Sequence, residues 1–287
     1  MAAQQSDATT RRSSPSTAAD YAMGSTDRER QRLMRQGAVL RGFLASAFRA
    51  AGIGPGMRVL DLGCGVGDVA MLAAEFVGPA GSVIGIDRDP ASVKWASKRV
   101  AEAGYTKIHF QTTEFQAFAD SKPFDALVGR FILMYLPDPA ATLRHLAQQL
   151  RQGAAIAFME PDFTVDSCIF PEMPQFKDCG TWISEALRHS GARIDMGMRL
   201  HATYRDAGFV NTATEVSHLC GCGFSREMAE FFAETIRSIL PKIVQYGIAT
   251  HEEVQIDTLA DRMDAACRDA DPQWVSSRYI SAWARKP

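Results

Sequence analysis

Residues 59–68, Val-Leu-Asp-Leu-Gly-Cys-Gly-Val-Gly-Asp, constrain this chain more than any other stretch. A short apolar run passes directly into a turn with glycine at 63, 65 and 67, and helix-spaced apolar residues follow. That pattern reads as strand, tight turn and helix. Glycine admits positive φ and lets a ligand lie close against the backbone. In an open parallel sheet, the crevice beyond the carboxyl end of such a strand is the default ligand site. The same turn also occurs for packing alone, so its meaning depends on the rest of the chain.

The rest repeats the rhythm. Strands are predicted at 57–62, 82–87, 107–112, 124–128 and 154–159, with helices at 68–77, 90–103 and 139–150 between them. Strand–helix alternation predicts a doubly wound α/β fold, a mostly parallel seven-stranded sheet with helices on both faces. Residues 1–18, rich in Ser, Thr, Ala and Gln, are expected to form a disordered tail. Residues 19–51 form an N-terminal helical lid, with Leu33, Leu40, Leu44 and Phe48 at helical spacing. Residues 52–160 make the cofactor-binding core. Residues 161–287 are expected to hold a helical insertion that caps the substrate, with helices at 178–189, 198–207, 225–246 and 251–268. Strands at 210–219 and 277–284 complete the sheet.

Composition removes several function classes. The chain has 287 residues, with 31 basic against 33 acidic side chains and a net charge of -2. Such a balance offers no broad positive field for a phosphate backbone, so no nucleic-acid partner is expected. No run approaches the ~18 apolar residues of a membrane span, so no membrane association is expected. The polar first twenty residues lack a secretory signal's apolar stretch, and the expected location is cytoplasmic. Six cysteines occur without a CxxC pair, and reduced thiols are the expectation.

The second strand ends in Asp87, twenty-two residues after Gly65, where a carboxylate can accept both hydroxyls of a ribose. That points to an adenosine-type ligand, shared by nicotinamide dehydrogenases and methyltransferases. Asp61 inside the first strand and Asp68 at the opening of the helix favour the second class. Carboxylates there oppose a diphosphate and suit a cationic sulfonium.

The segment VLDLGCGVGD resembles motif I of class I S-adenosylmethionine-dependent methyltransferases, and GIDRD resembles their ribose-binding motif. The resemblance implies S-adenosylmethionine as cofactor and S-adenosylhomocysteine as product. It assigns cofactor contacts to Asp61, Gly63, Gly65, Asp87, Arg88 and Arg130, with Glu114 on the adenine amino group and Phe115 against the adenine face. The segment Tyr21-Ala22-Met23-Gly24, followed by Arg32, Leu33 and Gln36, is similar to the lid helix of natural-product methyltransferases. It implies that Tyr21 and Gln36 close over the cofactor and the substrate; a detachable N-terminal helix also makes subunit exchange, and so a homo-oligomer through this helix, the expectation. Within that group the likeness extends to C-methyltransferases that methylate and cyclise the geranyl chain of teleocidin-type indole alkaloids. The expected activity is therefore methylation of a small hydrophobic natural product, with C-methylation and cyclisation of a prenylated indole favoured over O- or N-methylation.

A carbon acceptor needs an apolar aromatic pocket rather than a base. Phe163, Phe170, Met173, Phe176, Trp182, Phe224, Phe231 and Phe232 are candidates, although most are expected in the core, and Phe231 and Phe232 cannot share a helix face. An oxygen or nitrogen acceptor can require a base. Tyr21 and His201 are the candidate catalytic residues. Glu160 and Asp162, after the fifth strand, read as solvated or substrate-facing acids; no metal is expected.

Overall fold

The computed structural model describes residues 26–287. The expectation for the tail, and the lid residues up to Ser25 with Tyr21 among them, lies outside the described residues. Helix α1 (Asp27–Ala50) starts at Thr26, whose side chain accepts the Glu29 N–H, and turns Leu40, Leu44 and Phe48 inward. The Gly/Pro cluster at 52–56 ends it, and the alternating core follows. It runs β1 (Arg58–Leu62), α2 (Asp68–Val77), β2 (Ser82–Asp87), α3 (Pro90–Glu102), β3 (Ile108–Thr112), β4 (Phe124–Arg130), α4 (Pro139–Leu146) and β5 (Leu150–Asp162). Asp89 and Asp138 cap α3 and α4 through the orphan N–H groups of their first turns, each with proline at the first helical position.

The remaining elements are β6 (Cys168–Phe170), α5 (Pro174–His189), α6 (Met196–Ala207), β7 (Val210–Ser217), β8 (Cys220–Cys222), α7 (Arg226–Gln245), α8 (His251–Val254), α9 (Leu259–Ala270), β9 (Gln273–Val275) and β10 (Arg278–Arg285). The main sheet has seven strands in the order β3-β2-β1-β4-β5-β10-β7. Its first five strands are parallel; β10 runs antiparallel to both neighbours. The expected fold class is the observed one. One face buries Leu40, Phe48, Val69 and Ala73 from α1 and α2. The other buries Leu143 of α4 and Met196, Leu200 and Tyr204 of α6. Because the order reverses between β1 and β4, the crevice beyond their carboxyl ends is where a ligand fits.

The region after Glu160 departs from the expected single insertion. Residues 163–195 and 218–277 are two insertions, separated by α6 and β7, that pack against each other. Short antiparallel strands join them in the order β6-β9-β8, and Met173, Phe176, Ile236, Ile239, Met263 and Trp274 form their common core. Phe232 belongs to this cluster, its ring tilted at 52° against that of Phe176 with centroids 5.4 Å apart, whereas Phe231 lies outside it. The helix expected over 251–268 is two pieces, broken where Gln255 takes φ +46°.

Helix α1 ties this cap to the core. Glu29 and Arg32 form a buried two-point ion pair, and the Ser238 hydroxyl of α7 donates to the same Glu29. Further along, a Cβ on Gly37 would come within 2.4 Å of the Asp68 carboxylate, so only glycine lets α1 pass that close to the start of α2. The lid expected from the sequence thus sits on its own chain, between cap and cofactor edge. Among the described residues, no helix is long and apolar enough to cross a membrane.

Candidate functional site

The glycine turn after β1 takes the conformations its sequence demands: Gly63, Gly65 and Gly67 have φ of +66°, +49° and +88°. The Gly63 and Cys64 N–H groups donate to Ile86 O at 2.9 and 3.0 Å, pinning the turn to the end of β2. The Gly65 N–H donates to Asp87 Oδ2 at 2.9 Å, and the Asp89 N–H donates to Asp87 Oδ1 at 3.0 Å. Each Asp87 oxygen therefore keeps a lone pair for an incoming hydroxyl. Burial raises the Asp87 pKa, and those two N–H groups pull it back.

Asp61 lies beneath this turn with no exposed surface. Among the described residues, neither of its oxygens closes a hydrogen bond. Burial raises its pKa well above the ordinary carboxylate range, while Arg130 opposes the shift and Asp87 adds to it. A buried carboxyl left unanswered is destabilising by a few kcal/mol, so its partner is expected to be a ligand. Cys64 in the same turn is held as a neutral thiol by burial and by Asp61 and Asp87.

Asp68, expected to face the ligand, is largely neutralised instead. Arg99 of α3 donates to it at 2.9 Å and to Val66 O at 2.5 Å, and Arg130 approaches it at 3.7 Å. Arg130, expected among the cofactor contacts, turns its guanidinium to this carboxylate. Neither arginine's partnership is visible in the motif, because α3 and β4 bring them back to the turn. The edge carries three carboxylates, Asp61, Asp68 and Asp87, against two guanidiniums, Arg99 and Arg130. It suits a cationic ligand that carries a diol, and the amino, sulfonium and ribose groups of S-adenosylmethionine match those acceptors and charges.

Other expected residues fall on the same edge. Arg88 is exposed directly after Asp87, Glu114 is exposed after β3, and half-buried Gln36 precedes Gly37 on α1. Phe115 was expected against an adenine face. It is buried in the core with Phe118 and Leu143, because the 3-10 turn Phe115–Ala117 points it under α4. His201 is exposed on α6, and no hydrogen bond or ion pair links it to a described residue of this edge. The amphipathic phase of α6 spends Leu200 and Tyr204 on the core and leaves His201 outward.

Glu160 and Asp162 also depart from expectation, since both are fully buried. Asp162 is taken by Arg278 and by the Thr164 N–H and hydroxyl. Glu160 accepts backbone N–H groups from the turn after β4. Burial pushes its pKa up from 4.5 to about 8, with those N–H groups pulling the other way. A carboxyl whose folded pKa is raised binds a proton more tightly when native, so stability falls as pH rises from 4.5 through about 8. Thermal melts should show that slope in the wild type and a flatter one in Glu160→Gln.

Beside Arg130, three rings line up on the lid side of the sheet. Phe131, with φ +54°, stacks on Tyr279 of β10 at 5.8 Å and 21°, and Tyr279 meets Phe43 of α1 at 6.2 Å. All three are half-buried. The sequence reading sought aromatic residues in the insertions and missed this wall, whose members come from three distant elements.

Residues 53–191 match the family model described as a methyltransferase domain. Over that stretch the chain is similar to methyltransferase domains. Over 120 residues it is 36% identical to the aklanonic acid methyltransferase DauC of Streptomyces sp. (strain C5), covering 42% of this chain and 54% of that protein. Over 109 residues it is 39% identical to a 2-phytyl-1,4-naphtoquinone methyltransferase of Synechococcus elongatus, covering 37% of this chain and 46% of the relative. The chain spans about half the length of these curated relatives. Phosphoethanolamine N-methyltransferase 2 of Haemonchus contortus, solved with S-adenosylhomocysteine, shares the fold with a TM-score of 0.53 at 16% identity, over 86% of this chain and 52% of that one.

If this edge takes the cofactor that its charges suit, Asp87→Ala should weaken binding of S-adenosylhomocysteine by about 1–3 kcal/mol. Titration calorimetry measures it, and an unchanged affinity would remove Asp87 from the site.

Proposed function

We propose that this chain transfers the methyl group of S-adenosylmethionine to a small apolar organic molecule, with C-methylation of a prenylated indole alkaloid and cyclisation of its terpenoid chain as the specific reading. The observation that carries the cofactor half is Asp61, a fully buried carboxyl beneath a glycine turn whose oxygens close no hydrogen bond within the distance limits among the described residues, with Arg130 and the Ala70 N–H only lowering its raised pKa. When bound, the cofactor supplies an electrophilic methyl on a sulfur that departs without needing a proton. Asp61 and Arg130 set the charge balance beneath it. Asp87 holds the sugar through its free lone pairs, and the turn glycines keep side chains out of the way.

The acceptor half rests on the wall Phe43–Tyr279–Phe131. In-line transfer needs donor and acceptor held about 3 Å apart, and proximity of that kind supplies several kcal/mol. A methylated alkene carbon leaves a cationic centre beside it, which each ring face can stabilise by about 0.5–2 kcal/mol. Burial holds the Tyr279 hydroxyl neutral up to about 12, so it stands ready as a ring and a weak donor rather than as a base. That favours an acceptor whose carbon takes the methyl before any deprotonation, the cation then closing the ring and releasing its proton to solvent. Tyr21 and Gln36 are assigned to lid closure, and self-association is assigned to the N-terminal helical region.

The test is transfer of labelled methyl from S-adenosylmethionine to a panel of prenylated indoles and other apolar aromatics, read by mass spectrometry. A rate governed by one essential base across the pH range would favour oxygen or nitrogen instead. Tight binding of NADH without binding of S-adenosylhomocysteine would sink the proposal altogether.

A further inference from the structure

Glu160 is the buried acid that the chemistry above leaves unused. Its Oε1 accepts the Ile132 N–H at 2.9 Å and the Leu133 N–H at 2.8 Å, and its Oε2 faces the Met134 N–H at 3.4 Å. These groups open the 3-10 turn Leu133–Tyr135, where the first donors of a helical turn have no partner of their own. One carboxyl thus organises the whole turn after β4.

That turn does two things at the site. Its Ile132 side chain presses on the glycine loop, since a Cβ on Gly63 would fall 2.5 Å from Ile132 Cγ1. The preceding Phe131 is held at φ +54°, a conformation that persists in a non-glycine residue only where its surroundings impose it. The Phe131 N–H donates to Met159 O, so both anchors of the strained residue come from consecutive positions of β5. Among the described residues, no cation faces Glu160 directly. On α6 it meets the Tyr204 hydroxyl, which bonds Phe158 N and Ala282 O. On β4 the nearest charge, Arg130, is turned to Asp68, and on β5 Asp162 is closed by Arg278. Strand β10 sets Ile280 opposite it in register. A buried carboxyl with no counter-ion is a poor stabiliser, and backbone N–H groups are what it serves.

We propose that Glu160 is a positioning residue for methyl transfer, fixing the 131–134 turn so that Ile132 bounds the cofactor loop and Phe131 presents its ring to the acceptor. The idea rests on the reading of this edge as the cofactor cleft.

Glu160→Gln keeps one carbonyl oxygen for the two short bonds, sets an amide N–H against the Met134 N–H, and cannot ionise. It is expected to fold, by its thermal melt, and to bind S-adenosylhomocysteine in calorimetry within about threefold of wild type, because the cofactor contacts themselves remain. Its kcat should fall by about tenfold to a hundredfold, the scale of a small misplacement of reacting groups. The wild-type kcat should also inflect near pH 8, where ionisation draws in the Met134 N–H, and the variant should lack that inflection. Ile132→Ala, which leaves the carboxyl in place, should lower kcat in the same direction while keeping the inflection. Wild-type kcat and an unchanged pH profile in Glu160→Gln would overturn the inference. Should wild type itself bind no S-adenosylhomocysteine, the reading of the cleft fails first, and the two failures are thus distinct.

Discussion

Asp61→Asn is expected to weaken binding of S-adenosylmethionine by about 1.5–3 kcal/mol, the range for a hydrogen bond to a charged group, while leaving the protein as stable as before or more so. Few substitutions separate the two quantities in this way. Asp61 is completely buried, and its oxygens find no hydrogen-bond donor among the described residues. Burial is the main cause of its raised pKa, with Arg130 opposing. A carboxyl whose folded pKa lies above the ordinary 3.8 contributes stability that is fully present below that value and lost as pH rises through the folded pKa. Asparagine, which does not ionise, escapes the loss, so its advantage in thermal midpoint should grow with pH. Cofactor affinity runs the other way. A cation is best met by the ionised form, so wild-type affinity should strengthen as pH rises through the same window, and the Asn variant should lack that dependence. Calorimetry across a pH series, paired with melts, reads both. A variant that loses stability and keeps its affinity would make Asp61 a structural residue.

The second large effect is Gly63→Ala, expected to damage stability and binding together. At φ +66°, alanine brings strain of about 1–3 kcal/mol. Its Cβ would also stand 2.5 Å from Ile132 Cγ1 and 2.6 Å from Ile132 Cδ1. Relieving that overlap costs about 1–3 kcal/mol more, because the neighbours are closely packed. Each kcal/mol corresponds to roughly 2–4 °C of thermal midpoint in a domain of this size. Either the turn shifts off Asp87, or Ile132 shifts off the turn. Both outcomes disturb the cleft, and Gly54→Ala, where no atom lies within 4 Å, is the matched control. Equal melts for the two variants would remove the close packing of Ile132 on the loop from the account of the site.

The parallel core was legible because its signals are local. Each strand, each capped helix and the glycine turn is written within a dozen residues, and a doubly wound sheet then dictates which ends meet. Asp61, Gly63, Gly65 and Asp87 could be placed on one edge for the same reason: they lie at or just beyond the carboxyl ends of neighbouring strands. The burial of Phe115 and the exposure of His201 were not legible, because a residue's place in the chain does not give the direction of its side chain. That direction follows from the phase of the turn or helix against the sheet.

What the sequence by itself determined is the order of elements and the carboxyl edge at which a ligand can bind, since periodicity, capping and glycine conformations act over a few residues. What only the tertiary structure decided is how that edge is charged and walled. Arg99 and Arg130 return to Asp68, Phe43 and Tyr279 arrive at Phe131 from opposite ends of the chain, and two separate insertions close into one cap. Contacts of that kind depend on packing between elements far apart in sequence, and the residues themselves carry no local mark of their partners.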